Sequence, residues 1–362
     1  MAANKKIKVL VVDDSVFFRT TLERELAKAP NITVVGTACD PYDARDKILS
    51  LEPDVLTLDV EMPRMDGIKF LTRLIPQYPI PVVVVSSANV SVFDAVSAGA
   101  VDFMAKPFPG DDMTDFIHRL CMKINVAATA TVKSGSPVSN NNSSGQPVRH
   151  ADIAPAARGG FSAASPLVSM GVSNRKNLIA LGASTGGTDA LERVLLDLPA
   201  DCPPIVIVQH MPPVFTKMYA ERLDRNCKMR VKEAEDGDRL VRGLCLVAEG
   251  DKHMRLKRDS RGYFVSCAHG EKVSGHCPSV DVLFDSVAEV AGKDAVAAIL
   301  TGMGADGAKG MKKMRDRGAY TIGQNKETCV VYGMPMEAYE LGGVCEQQPL
   351  NRIGDAILRQ CL

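Results

Sequence analysis

The chain has 362 residues, of which 46% are hydrophobic, and its 43 lysines and arginines balance its 43 aspartates and glutamates. This length favours two domains, the hydrophobic content excludes a fully disordered chain, and the balanced charge gives no reason to expect a nucleic acid or an anionic membrane as partner. The ten cysteines show no metal-ligand spacing and no apolar run reaches the roughly 20 residues that span a bilayer, so we expect a cytoplasmic protein without membrane insertion.

The first part of the chain alternates β-branched runs with amphipathic helical patterns. This alternation predicts a flavodoxin-like (βα)5 domain over residues 5–124, with a parallel sheet that is covered on both faces. The predicted strands are residues 7–12, 32–38, 55–58, 82–85 and 101–104, and the predicted helices are residues 16–28, 42–50, 67–75, 90–98 and 111–124. Ligands of such open sheets bind at the carboxyl ends of the strands.

Residues 125–176 are rich in Ser, Ala, Asn, Pro and Gly, which predicts a flexible linker that cannot bury a core. A second α/β domain is predicted over residues 177–362, doubly wound and mostly parallel, with strands at 177–181, 204–209, 295–300 and 319–322. An antiparallel excursion is predicted around residues 244–247 and 262–267.

Polar residues lie at the ends of four of the five predicted strands of the first domain, namely the first, third, fourth and fifth. They are Asp13, Asp14, Asp59, Ser86 and Lys106. Three carboxylates at one sheet edge repel each other unless a hard divalent cation such as Mg2+ lies among them, and Lys106 can offset the charge that remains. The sequence therefore predicts a cation site at this edge, against the alternative that strand ends are acidic by chance.

The motifs at residues 11–15, 58–67 and 103–107 resemble those of the receiver domains of two-component response regulators. This resemblance implies that Asp59 accepts the phosphoryl group and that Asp13 and Asp14 join it in binding Mg2+. It further implies a switch made of Ser86, Phe103 and Lys106. Phosphorylation adds roughly −1.5 to −2 charges at this edge, which biases a two-state element.

The most informative motif of the second domain is Gly182-x-Ser184-x-Gly186, which lies between an apolar strand and a helical pattern. Flanking glycines permit a tight turn that presents the serine hydroxyl, and amide groups at the start of the helix face the negative charge that develops beside it. Ser184 is therefore a candidate nucleophile. A phosphate-binding or purely structural turn is the alternative.

Two other strand ends supply possible partners for Ser184. His210 follows one predicted strand, and Asp306 lies in a glycine-rich loop after another. If both strands neighbour the Ser184 strand, the histidine can act as general base and the carboxylate can fix its tautomer. His210 could instead simply cap its strand, and the other five histidines, including His276, have less favourable contexts.

The Asp306 loop also satisfies a dinucleotide fingerprint, Gly302-x-Gly304-x-x-Gly307. That fingerprint expects an acidic residue at the end of the next strand, to hold the ribose hydroxyls. The chain offers no carboxylate there until Glu327, so dinucleotide binding is the weaker interpretation.

Residues 182–187, 209–213, 278–284 and 301–307 resemble the catalytic domain of the chemotaxis-specific protein-glutamate methylesterases, whose layout is receiver, linker and catalytic domain. The resemblance implies Ser184 as nucleophile, His210 as base and Asp306 as orienting acid. The amides of Thr185 and Met303 become plausible oxyanion donors. One departure is Cys277, where a basic residue usually precedes Pro-Ser-Val-Asp, so substrate preference could differ.

The resemblance implies a monomeric enzyme that demethylates glutamate esters on methyl-accepting chemoreceptors and deamidates certain glutamines by the same route, with no cofactor for hydrolysis. It implies phosphorylation by a chemotaxis histidine kinase and recruitment to membrane receptor arrays. We hypothesise that the receiver covers Ser184 until Asp59 is phosphorylated. The rival interpretation is a response regulator whose output domain binds a nucleotide or protein without catalysis; the sequence has no helix-turn-helix pattern or basic recognition helix for DNA.

Overall fold

The computed structural model describes residues 5–62, 66–86, 91–108, 110–132 and 175–361. The predicted linker, residues 125–176, lies mostly outside these ranges. At its start, the last helix of the first domain continues to Ala127, three residues beyond the predicted end. Among the described residues, none of the helices has both the length and the apolar character that crossing a bilayer requires.

The first domain is a five-stranded parallel sheet with the strand order β2-β1-β3-β4-β5. Its strands are β1 (Ile7–Val12), β2 (Ile32–Ala38), β3 (Val55–Leu58), β4 (Val82–Ser86) and β5 (Asp102–Ala105). Its helices are α1 (Val16–Leu26), α2 (Pro41–Leu51), α3 (Gly67–Leu74), α4 (Ser91–Ser97) and α5 (Met113–Ala127). Strands β3 and β4 are buried along their whole length, as their largely apolar sequence predicts.

Side-chain caps fix where several helices begin. The hydroxyl of Ser15 accepts a hydrogen bond from the Phe18 amide at the start of α1, and Asp40 and Asp112 cap α2 and α5 in the same way. Each cap satisfies an amide that the helix itself leaves unpaired. The helix starts at the strand ends are therefore set by local sequence.

The second domain is a seven-stranded sheet with the strand order β14-β13-β12-β6-β7-β9-β8. Its strands are β6 (Leu178–Ala183), β7 (Ile205–Gln209), β8 (Arg230–Glu233), β9 (Leu244–Val247), β12 (Ala295–Ile299), β13 (Tyr320–Gln324) and β14 (Glu346–Gln348). Its helices are α6 (Gly187–Asp197), α7 (Phe215–Asn226), α8 (Val280–Val290), α9 (Ala308–Asp316), α10 (Met334–Glu340) and α11 (Leu350–Cys361). The α/β class predicted for both domains is confirmed.

One detail of the predicted antiparallel excursion is wrong. Residues 244–247 form β9, which pairs in parallel with β7 and β8 inside the main sheet. The antiparallel pair is instead β10 (His253–Asp259) with β11 (Gly262–Ala268). Short apolar runs carry no information about the direction of their partner strand, because pairing direction is decided by the connections between strands.

Candidate functional site

The three strands that precede Ser184, His210 and Asp306 are neighbours at the centre of the second sheet. β6 lies between β12 and β7 and pairs with both in parallel. The carboxyl ends of parallel strands lie at one edge of the sheet, so all three residues leave the sheet on the same side. The topology thereby meets the condition on which the sequence-based hypothesis depended.

The turn around Ser184 is held by main-chain hydrogen bonds to the neighbouring strand end. The Ser184 amide donates to the Thr301 carbonyl at 3.0 Å, and the amide of Gly187 closes the turn on the Ser184 carbonyl at 2.7 Å. Gly186 has φ of 74°, a conformation that side chains disfavour. α6 starts directly after it, so the positive end of an eleven-residue helix faces the serine.

The glycine-rich loop after β12 is shaped by its approach to Ser184. A Cβ at Gly302 would lie 2.8 Å from the Ser184 Cβ and 2.3 Å from the Met334 sulfur. Close packing therefore requires a glycine at this position. This requirement accounts for one residue of the apparent dinucleotide fingerprint without any bound nucleotide.

His210 and Asp306 form a buried hydrogen-bonded pair. The imidazole Nε2 lies 2.7 Å from the Asp306 carboxylate, and the side chains are only 7% and 1% exposed, respectively. The other ring nitrogen, Nδ1, is buried and has no hydrogen-bond partner among the described residues. Ser184 and His210 line the same cavity. An imidazole whose Nε2–H is held by a carboxylate presents Nδ1 as an acceptor, which is the form a general base needs.

Asp306 is held at the start of α8 by three further donors. Its carboxylate accepts from the Ser279 hydroxyl at 2.7 Å and from the amides of Val280 and Asp281 at 2.7 and 3.1 Å. Burial alone raises the pKa of Asp306, but the hydrogen bonds from His210, Ser279 and Val280 outweigh it and hold the pKa below its ordinary value. The group is thus kept as a carboxylate that can stabilise an imidazolium.

The predicted oxyanion donors belong to the turn after β6 and to the loop after β12. Thr185 follows the serine directly and is 7% exposed, whereas the Met303 side chain lies at the surface and is 48% exposed. Neither main-chain amide makes a hydrogen bond with the part of the chain that the structure describes. Both amides are therefore available for oxyanion stabilisation.

A second imidazole lies against the candidate base. The rings of His276 and His210 are parallel within 7° and their centroids are 3.7 Å apart. Burial, followed by the adjacent His210, lowers the pKa of His276 to about 4. Sequence reasoning set His276 aside, although it lies just before the Pro-Ser-Val-Asp motif that supplies the donors to Asp306.

The receiver-like domain covers the edge of the sheet that carries Ser184. The cavity there offers about 20 Å³ of free volume, which is room for about one water molecule. It is lined from the second domain by Ser184, Gly186, Thr188, Gln209, His210 and Pro212, and from the first by Val96, Val101, Asp102, Phe103 and Lys123. A substrate side chain cannot enter while the domains lie in this arrangement.

One direct contact joins the nucleophile turn to the covering domain. The Thr185 hydroxyl donates to the Asp102 carboxylate at 2.8 Å. Lys123 pairs with the other oxygen of the same carboxylate, also at 2.8 Å. Asp102 carried no signal in the sequence, because its role depends on a contact between residues 83 positions apart.

The predicted acidic cluster of the first domain is present at the carboxyl ends of β1 and β3. Carboxylate oxygens of Asp13, Asp14 and Asp59 all lie within 4.8 Å of one another. Lys106 contacts Asp13 at 2.7 Å and also contacts Asp59, while the Ser86 hydroxyl donates to Asp59 at 2.9 Å. Burial dominates in raising the pKa of Asp13, although Lys106 opposes it. Three carboxylates with one lysine between them keep a net negative charge, and their oxygen ligands fit a hard divalent cation.

Phe103, the predicted switch aromatic, lies in the contact between the domains. Its ring centroid is 5.1 Å from that of Phe215 in α7 and 5.7 Å from that of Phe93 in α4. Phe93 in turn stacks on Tyr219 at 5.6 Å. We refer to Phe93, Phe103, Phe215 and Tyr219 as the aromatic cluster. The cluster connects β5, which pairs with the strand that ends in Ser86, with α7 of the second domain.

Comparison with known proteins agrees with this architecture. A family model described as CheB methylesterase matches residues 179–357, and a model of the response regulator receiver domain matches residues 9–118. A solved structure, the CheB methylesterase catalytic domain of Thermotoga maritima, is 39% identical with a TM-score of 0.50, and the match covers 51% of this chain and 98% of that one.

Two curated relatives match nearly from end to end. "Protein-glutamate methylesterase/protein-glutamine glutaminase 2" of Syntrophomonas wolfei is 49% identical over 98% of both chains. The protein-glutamate methylesterase/protein-glutamine glutaminase of Syntrophotalea carbinolica is 47% identical over 98% of this chain and 97% of its own. With a receiver domain at one end and a methylesterase domain at the other, this chain belongs to the CheB family of protein-glutamate methylesterases/protein-glutamine glutaminases.

Proposed function

We propose that this protein is a phosphorylation-regulated serine hydrolase that removes methyl esters from glutamate side chains of chemoreceptors and deamidates particular receptor glutamines. The observation that carries the proposal is the buried pair of His210 and Asp306 beside the turn of Ser184, at three adjacent strand ends. The family relationship supplies the substrate class.

In the proposed reaction, the Ser184 oxygen attacks the ester carbonyl while Nδ1 of His210 takes its proton. Asp306 holds the opposite nitrogen at 2.7 Å and stabilises the imidazolium that forms. The amides of Thr185 and Met303 bind the oxyanion. The imidazolium then gives its proton to the departing methanol, and water hydrolyses the acyl-enzyme by the same route in reverse. Hydrolysis needs no cofactor in this scheme.

The receiver would be phosphorylated on Asp59 by a chemotaxis histidine kinase. Asp13, Asp14 and Asp59 would hold Mg2+, since their oxygens lie within 4.8 Å of one another. Bound there, the cation would neutralise charge on the incoming phosphoryl group. Lys106 and Ser86 already contact the Asp59 carboxylate, and they would bind phosphoryl oxygens when the modification is present.

We propose that phosphorylation releases the cover from the active site. The Ser86 hydroxyl would move toward the phosphoryl group, and Phe103 lies on the next strand, packed against Phe215 of the catalytic domain. A new position of Phe103 would therefore weaken the aromatic cluster and the contact from Thr185 to Asp102. The enzyme would act as a cytoplasmic monomer recruited to membrane receptor arrays.

The test is covalent trapping with a fluorophosphonate that reacts with activated serines. We expect labelling of the phosphorylated full chain and none in Ser184→Ala. Before treatment with the fluorophosphonate, the phosphorylated full chain should release methanol from methylated receptor membranes, and the Ser184→Ala chain should not. Ser279→Ala is a useful companion, because it retains the serine of the elbow and removes one donor to Asp306. Absence of labelling in the activated chain would contradict the hydrolase and favour a non-catalytic output domain.

A further inference from the structure

If His210 acts as the general base, the orientation of its ring must be fixed. Asp306 holds one nitrogen of the ring. A single hydrogen bond does not by itself fix the rotation of the ring about the Cβ–Cγ bond. A general base must keep its second nitrogen directed at the hydroxyl throughout the proton transfer. Something must therefore also fix the plane of the ring.

His276 is placed to do this. Its imidazole lies flat on His210, with ring planes 7° apart and centroids at 3.7 Å. The His276 ring makes no hydrogen bond with any residue described by the structure, so the stack is its closest directional contact. The arrangement covers one face of the candidate base with another flat ring.

The backbone of His276 is itself firmly held. Val273 and His276 exchange hydrogen bonds of 3.0 and 2.9 Å across a tight turn whose central residues, Ser274 and Gly275, have φ of 52° and 84°. Three residues further on, Ser279 caps α8 and donates to Asp306. One segment, residues 276–281, thus fixes both the carboxylate partner and the stacking partner of His210.

We propose that His276 is a positioning residue for the general base, which keeps the His210 ring in the plane that joins Asp306 to Ser184. The inference rests on the proposed hydrolase function. The pKa of His276, lowered to about 4 mainly by burial, keeps its ring neutral at physiological pH. A neutral aromatic face stabilises the imidazolium formed during the reaction, whereas a charged one would repel it.

The experiment uses the full chain, activated by a small phosphodonor with Mg2+, and methanol release from methylated receptor membranes. His276→Ala should lower kcat by about 10- to 100-fold with KM nearly unchanged, since it misplaces the base without touching the substrate. His276→Phe restores a neutral stacked ring and should recover kcat to within about 3-fold of the wild type. The matched control is His269→Ala, which removes an exposed histidine that is hydrogen-bonded to the Asp251 carbonyl. It should leave kcat and KM unchanged.

Two results would overturn the proposal. Equal damage in the Phe and Ala variants would mean that the His276 nitrogens are needed. A raised KM with normal kcat in both variants would mean that His276 contacts the substrate.

A substrate-independent measurement separates this proposal from the assignment of the receptor substrate. Nitrogen relaxation of selectively labelled histidines should report a rigid His210 ring in the wild type and the Phe variant, and a mobile ring in the Ala variant. If receptor demethylation failed while this pattern held, the substrate would be wrong and the positioning role would stand. A ring that is equally rigid in all three chains would refute the positioning role.

Discussion

At the scale of single residues, the site depends on one imidazole that is constrained from two directions. Asp306 contacts the edge of the His210 ring and His276 covers its face. Ser279 and the first amides of α8 anchor Asp306 in turn. None of these contacts contributes much energy alone, but each limits a different motion of the proposed base.

The lowered pKa of His276 predicts a pH dependence of stability. Its pKa falls from 6.5 to about 4 on folding, so the unfolded chain binds more protons between these values. The contribution of neutral His276 to the free energy of unfolding is fully present above about pH 6.5. It decreases as the pH falls toward about 4, by up to about 3 kcal/mol. Urea unfolding at pH 7.5 and 4.5 measures the loss.

The comparison chain for this measurement is His276→Phe, which has nothing to titrate there. We expect the wild type to lose about 2–3 kcal/mol more than the variant over this interval. The ionisable groups that act on His276 are His210, Asp306, Lys123 and Lys272. They remain in both chains, so they largely cancel in the difference. Equal losses would show that His276 titrates normally in the folded protein.

At the scale of elements, the contact between α4 and α7 is the most directly testable part of the cover. Arg222 of α7 bonds to Asp94 at 2.9 Å and to Ser97 at 3.0 Å, both in α4. Glu192 of the catalytic domain pairs with the same guanidinium at 3.2 Å. This pair positions the Arg222 side chain for its contacts with the receiver.

Replacement of Arg222 by methionine should raise the basal activity of the unphosphorylated chain. A partly exposed ion pair contributes about 0.5–1 kcal/mol, which corresponds to a roughly 2- to 5-fold larger open fraction. Methanol release without phosphodonor measures the change, and activity of the phosphorylated chain should alter little. Arg225→Met is the matched control on the exposed side of the same helix. An unchanged basal rate would exclude this pair from the regulation.

At the scale of the whole molecule, the carboxyl ends of the strands of the second sheet face α4, α5 and the start of β5 of the first domain. The carboxyl end of each sheet is where that sheet carries its predicted functional residues. In the proposed regulation, burial of the catalytic edge lowers activity, and charge added at the acidic edge of the receiver alters the packing between the domains. The aromatic cluster is the proposed connection between Asp59 and the hydrolase domain.

A fragment of residues 175–361 should be more active than the unphosphorylated full chain. It retains every strand of the second sheet and loses the covering residues. We expect at least about a tenfold higher rate of methanol release, which corresponds to about 1.4 kcal/mol of closure. The Ser184→Ala fragment sets the background rate. A fragment no faster than the full chain would contradict the cover as a regulatory device.

The sequence by itself determined the fold class of both domains, because buried parallel strands must be continuously apolar and helices must be amphipathic. It also singled out Asp59, Ser184, His210 and Asp306, since strand ends in such sheets collect functional residues. Their catalytic and acceptor roles stay predictions. What only the tertiary structure decided were contacts between distant segments: the stack of His276 on His210, the bond from Thr185 to Asp102 and the parallel pairing of β9. Such contacts depend on how helices and domains pack, and no local periodicity or motif spacing encodes that packing.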